Sequence, residues 1–166
     1  MPDRLLTLTE VEALARAAHA AQTDKAGRPY AGHLAAVAEG VRAGGGNDEQ
    51  IAAAWLHDSV EDGALSREWL DGAALDPHVK ELVLALTRGE GEDLASYTAR
   101  ILATPGALLI KEADLAHNAD PARLALLEPA TRDRLTEKYA QVRRLLGRQV
   151  DESLTDRMNS ANPGPN

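Results

Sequence analysis

Residues 51–62, IAAAWLHDSVED, run apolar for six positions and then place His57, Asp58, Glu61 and Asp62 within six residues. A fold built around this stretch has to bury an apolar helix and also accommodate an imidazole and three carboxylates at its end. If the helix continues through the motif, His57 and Glu61 lie one turn apart, and so do Asp58 and Asp62. The four polar groups then share one end of the helix. No Lys or Arg stands among them. Three partly buried carboxylates repel one another, and a bound cation relieves that repulsion. Adjacent His and Asp suit a metal of intermediate hardness. The pattern points to a metal-dependent hydrolytic site. A solvated acidic helix end is the plainer reading, and a His-Asp pair alone is a weak signal.

The rest of the chain narrows the choice. At 166 residues it is long enough for one domain with a real core. Ala and Leu dominate and Phe is absent, which favours helices over sheet. A net charge of −8 provides no basic field for a nucleic-acid polymer, although a small phosphorylated substrate needs only a few local cations. There is no cysteine, so any metal has to be held by His and carboxylate. Residues 107–110 are too short an apolar run to cross a membrane, and no signal peptide is visible. No membrane partner and a cytoplasmic location are expected, and the oligomeric state is left open.

Capping and breaker residues predict a series of helices. Thr9 is expected to cap a first helix over about 10–22, and residues 24–30 read as a loop. A second helix is expected over about 32–43, ending at the Gly44-Gly45-Gly46 run. Asn47 or Asp48 caps the third, which carries the HD motif and ends near Gly63. Further helices are expected after Ser66, from Asp76-Pro77 to about Thr87, over 93–103 and over 107–118. A short turn follows Asp120-Pro121, and a last helix runs from Pro129 to about Leu146. Leu108–Ile110 gives the one weak strand signal. Residues 1–150 read as a single domain, and 151–166 as a disordered C-terminal tail. The expected architecture is an all-α orthogonal bundle with its chemistry at loops and helix ends. Trp55 and Trp69 sit at apolar helical positions and are expected in the core.

Three separated segments carry a family resemblance: GRPYAGH at 27–33, HDSVED at 57–62 and KEADLAHN at 111–118. In order and spacing they resemble the HD-domain metal-dependent phosphohydrolases. Within these they are similar to the hydrolase domain of the RelA/SpoT alarmone enzymes and to stand-alone small alarmone hydrolases. The resemblance covers about 15–146 and implies the HD-domain helical fold. It implies metal ligands at His33, His57, Asp58 and Asp114, with manganese or another divalent transition metal as cofactor. Glu61 and Asp62 match the family's ED pair, implying work on the attacking water and on proton delivery to the leaving group. Asn118 is implied to hold a sugar hydroxyl or a water. His117 is not a ligand in the family and reads as a packing histidine.

The resemblance also implies a nucleotide-facing loop. There Lys25 would neutralise phosphate and Tyr30 would pack on sugar or base. Lys111, Arg123, Lys138 and Tyr139 are weaker candidates for the same pocket. Two positions depart from the family. The loop typically reads Arg-Lys, with the Arg near the guanine, but Asp24 stands there in this chain. Leu115 follows Asp114 where Arg is common. Asp24 is therefore a candidate specificity residue that can accept a hydrogen bond but cannot supply a cationic stacking plane. The leading expectation is hydrolysis of the 3′-pyrophosphate of an alarmone nucleotide. Adenine analogues, NADPH and nucleoside monophosphates are alternative substrates. A nucleotide-binding module without turnover and a helical scaffold are alternatives of other classes.

Overall fold

The computed structural model describes residues 4–160, with side chains to Gly147. It is all-α: among the described residues the only β pairing is an isolated bridge between Thr23 and Pro29. The helices are α1 (Leu8–Ala18), α2 (Ala31–Ala43), α3 (Asp48–Leu56), α4 (Arg67–Gly72), α5 (Pro77–Leu86), α6 (Leu94–Ala103), α7 (Ala107–Asn118), α8 (Pro121–Leu124) and α9 (Pro129–Ser160). None of them is long and apolar enough to cross a membrane.

The bundle is organised around α3. Every residue from Ile51 to Leu56 is buried, so this helix is enclosed on all sides rather than amphipathic. It packs against α1, α2, α5 and α7. The run of three alanines gives it a narrow girth that lets four helices close around it. Asn47 starts α3 with a reciprocal capping box: its side chain accepts from the Gln50 N–H, and the Gln50 side chain accepts from the Asn47 N–H. Small residues also set the approach of α2 to α7. A Cβ on Gly40 would lie 3.1 Å from the Ala113 Cβ. That close crossing brings His33 on α2 to Asp114 on α7. Trp55 is buried and Trp69 packs against the core.

Several boundaries differ from the sequence expectation. The cap of α1 is Thr7, whose hydroxyl accepts from the Glu10 N–H at 3.2 Å, and not Thr9. The helix stops at Ala18, which leaves His19 and Gln22 in the following turns. Residues 108–110 are helical, within α7. The third helix ends at Leu56, so HDSVED lies beyond it in consecutive turns. His57 contributes to that ending, because its Nδ1 lies 2.6 Å from the Ala54 carbonyl that a continuing helix would offer to residue 58. The turns are held by Ser59 N–H to Leu56 O and Asp62 N–H to Asp58 O, and Gly63 closes them at φ 72°. The last helix continues to Ser160 rather than stopping near Leu146. Residues 151–160 of the expected tail thus extend α9, and 161–166 lie outside the described residues.

Candidate metal centre and pocket

Four side chains from three parts of the chain converge. His33 lies in the first turn of α2, His57 and Asp58 follow α3, and Asp114 lies on α7. One ligand atom from each falls within 4.8 Å of the others. His33 Nε2 is 3.0 Å from Asp114 Oδ1 and 3.7 Å from Asp58 Oδ2. His57 Nε2 is 3.3 Å and 3.1 Å from the same two oxygens. Both imidazoles turn Nε2 inward because Nδ1 is engaged elsewhere. His57 Nδ1 donates to the Ala54 carbonyl, and His33 Nδ1 lies 2.7 Å from His117 Nδ1. This is the arrangement in which an outer partner fixes the orientation of a metal-ligating histidine.

The electrostatics of the cluster call for a positive charge. Burial opposes ionisation of His57, but the adjacent Asp58 and Asp114 carboxylates outweigh it and hold its pKa well above the usual imidazole value. Burial likewise opposes ionisation of Asp114, and Lys111 with the two histidines keeps its pKa well below the ordinary range. For Asp58, burial is outweighed chiefly by His57. The buried Asp114 and half-buried Asp58 carboxylates, facing two imidazole nitrogens, make a borderline-hard donor set suited to a divalent metal. The residues present therefore fit such an ion.

The surrounding groups are arranged by the same elements. The Tyr30 hydroxyl donates to Asp58 Oδ2 at 2.5 Å. Burial and then the Asp58 charge push the phenol pKa up, so Tyr30 stays a donor. Lys111 Nζ donates to Asp114 Oδ2 at 3.0 Å and lies over the Tyr97 ring. Asn118 Nδ2 donates to Asp114 Oδ1 at 3.1 Å. Glu61 accepts the Arg88 backbone N–H at 2.7 Å. Glu61 is exposed at the rim of the cavity, and partial loss of water around its carboxyl raises its pKa against that donor. Asp62 accepts from Gln22 Nε2 at 2.9 Å.

All of these residues line one cavity of about 380 Å³. Lys25, Asp24, Arg123, Lys138 and Tyr139 line it as well, so the candidate catalytic, ligand and substrate residues share a single space. Leu86, Leu94, Leu127, Leu135 and Val142 supply an apolar wall that the sequence reading did not single out. Asp24 is not a free acceptor. Its Oδ1 takes the Ala26 and Arg28 N–H groups, and its Oδ2 pairs with Arg123 Nη2 at 3.0 Å. Burial works against this carboxylate, but the two N–H donors and Arg123 hold its pKa below the ordinary range.

His117, which reads from sequence as a packing histidine, has a more specific place. Arg123 Nη1 lies 2.8 Å from His117 Nδ1 and donates to the His117 carbonyl at 3.2 Å. Burial and the Arg123 charge lower the His117 pKa to about 4. Arg123 can only donate, so His117 Nδ1 is the acceptor, and its one lone pair is shared between Arg123 Nη1 and a proton on His33 Nδ1. The spacing gives a signal in retrospect, since His117 is three residues after Asp114 and so on the same side of α7. His117→Ala is expected to weaken manganese binding by roughly 10–100-fold, the usual cost of losing an outer partner. A manganese titration of the variant measures it.

Comparison with known proteins agrees with this geometry. Residues 12–105 match the HD-domain family. That is more than half of the chain, which therefore belongs to the HD-domain family. The chain is similar to a Synechocystis sp. protein named probable guanosine-3′,5′-bis(diphosphate) 3′-pyrophosphohydrolase, at 41% identity over 70 residues, covering 42% of this chain and 9% of that one. It is also similar to a Mycobacterium leprae protein named probable GTP pyrophosphokinase, at 36% identity over 108 residues, covering 60% of this chain and 14% of that one. The chain thus spans only a small part of the length of these curated relatives. The family match ends before α7, so Asp114 and Asn118 join the site through the fold.

Proposed function

We propose that this protein is a manganese-dependent phosphohydrolase that removes the 3′-diphosphate of an alarmone-like nucleotide, releasing pyrophosphate. The observation that carries the reading is the union, in one cavity, of the four-ligand cluster, the Glu61/Asp62 pair and a set of cations. The relatives' names support the substrate class. A bound divalent metal would supply Lewis acidity at a phosphoryl oxygen and a water of lowered pKa. His33, His57, Asp58 and Asp114 would hold it. Glu61 would take a proton from the attacking water, and Asp62 would assist proton delivery to the leaving oxygen. Lys25 and Lys138 would meet phosphate charge. Tyr139 and the leucine wall would meet sugar and base. Lys111 is committed to Asp114, so its contribution is charge balance at that ligand rather than a free phosphate contact. A cytoplasmic location is part of the same proposal.

The engagement of Asp24 supports a second reading of substrate range. Its own loop and Arg123 occupy three of the four acceptor positions of the carboxylate, and this leaves a single Oδ2 lone pair to read a purine edge. Adenine alarmones are then used alongside guanine ones. We expect kcat/KM for the guanosine and adenosine 3′-diphosphate-5′-diphosphates to differ by less than about tenfold, or about 1.4 kcal/mol in transition-state binding. The experiment is a manganese-supplemented panel of these two nucleotides, NADPH and nucleoside monophosphates. Preferred turnover of NADPH or a monophosphate would overturn the alarmone reading. A guanine preference far above tenfold would overturn the argument from Asp24.

A further inference from the structure

His19 is 1% exposed, yet it is not one of the four ligands. It follows the last residue of α1 and stacks on Tyr30, with ring centroids 5.3 Å apart. Its Nδ1 lies 2.6 Å from Gln22 Oε1, and Gln22 Nε2 lies 2.9 Å from Asp62 Oδ2. His19 Nε2 is buried without a hydrogen-bond partner among the described residues.

The chemistry of these groups gives the chain a direction. A carboxylate only accepts, so Gln22 presents its NH₂ to Asp62 and its carbonyl to His19. That carbonyl requires a proton on His19 Nδ1. In the neutral ring this leaves the lone pair on Nε2, the atom with no partner. An orphaned buried acceptor is costly. A phenyl ring would stack on Tyr30 without that cost, so packing alone does not account for an imidazole here. What the imidazole adds is the Nδ1 donor, and its effect is to fix the rotation of the Gln22 amide. Asp62 has an exposed side chain, and Gln22 is its only side-chain hydrogen-bond partner among the described residues.

We propose that His19 and Gln22 are positioning residues: the donor on His19 orients the Gln22 amide, which holds the Asp62 carboxylate in place at the cavity. The inference rests on the assignment of Asp62 to proton handling. His19 acts through Gln22 and touches no reacting atom.

The test uses the manganese-loaded full chain with guanosine 3′-diphosphate-5′-diphosphate. His19→Phe keeps the stack and removes the donor. His19→Asn places an amide NH₂ near the position of ring Nδ1. Gln22→Met keeps the length and removes both polar ends. In His19→Phe and Gln22→Met, kcat is expected to fall about tenfold, the lower end for an outer-shell partner, with KM and manganese affinity nearly unchanged. His19→Asn is expected to recover most of the loss. On an Asp62→Asn background, neither His19→Phe nor Gln22→Met should lower kcat further, because coupled residues are not additive.

Effects that multiply on that background would overturn the proposal. So would a rise in KM at constant kcat, which makes Gln22 a substrate contact, or failure of His19→Asn to recover activity. Full activity in Asp62→Asn alone would instead remove the role given to Asp62, and this inference with it. A readout independent of turnover is hydrogen exchange of the Gln22 side-chain NH₂. It should be slowed in the wild type and released in both His19→Phe and Asp62→Asn. Free exchange in the wild type overturns the proposal whatever the activity.

Discussion

Asp58→Asn is expected to abolish manganese binding and to lower turnover by roughly 10³-fold or more, since a metal supplies several kcal/mol of transition-state stabilisation. Asp58 is the hub of the cluster. Its Oδ2 lies 3.1 Å from His57 Nε2, 3.7 Å from His33 Nε2 and 2.5 Å from the Tyr30 hydroxyl. Asparagine keeps the shape and one acceptor but removes the charge that draws both a cation and the His57 proton. Thermal unfolding with and without manganese gives a measure separate from activity. A ligand at about 100 times its Kd stabilises the wild type by about 2.7 kcal/mol, and the variant is expected to gain nothing. If Asp58→Asn keeps the manganese-induced rise in Tm, the cluster does not hold the metal.

The second large effect concerns Glu61. Glu61→Gln is expected to lower kcat by about 10²–10⁴-fold while manganese binding persists, because the residue handles a proton and is not among the four ligands. The pH dependence gives the sign. A base works only when ionised, and withdrawal from water raises the Glu61 pKa above 4.5. The wild-type kcat should therefore fall as pH drops through that raised pKa. The residual activity of Glu61→Gln should lack this limb. Asp62→Asn is expected to show a loss of similar order with binding retained. Near-full activity in both variants would show that the pair serves only the turns that follow α3.

Why some of this was legible in the sequence and some was not comes down to range. The helices announce themselves through local chemistry: Asn47, Ser66, Asp76 and Asp93 all cap where their types predict. The His57-Asp58 pair and its place after an enclosed apolar helix are likewise local. The early end of α3 was not legible, because it depends on where His57 sends its Nδ1. Thr7 and Thr9 are equally plausible caps by type, and the chain uses Thr7, whose hydroxyl accepts the Glu10 N–H.

The misses with functional weight are long-range pairs of residues that are ordinary taken singly. Asp24 and Arg123 are 99 positions apart, and only the fold shows that the acidic residue in the loop is neutralised. Gln22 and Asp62 are 40 apart, and His33 and His117 are 84 apart. The pocket's cations were named residue by residue, but the commitment of Lys111 to Asp114 follows from burial, which leaves the carboxylate as its partner.

The most direct test of the central claim is phosphorus NMR of guanosine 3′-diphosphate-5′-diphosphate incubated with the manganese-loaded protein. The account predicts stoichiometric appearance of pyrophosphate together with guanosine 5′-diphosphate, dependent on manganese and absent in Asp58→Asn. Release of orthophosphate instead, or no turnover with manganese bound, would contradict it.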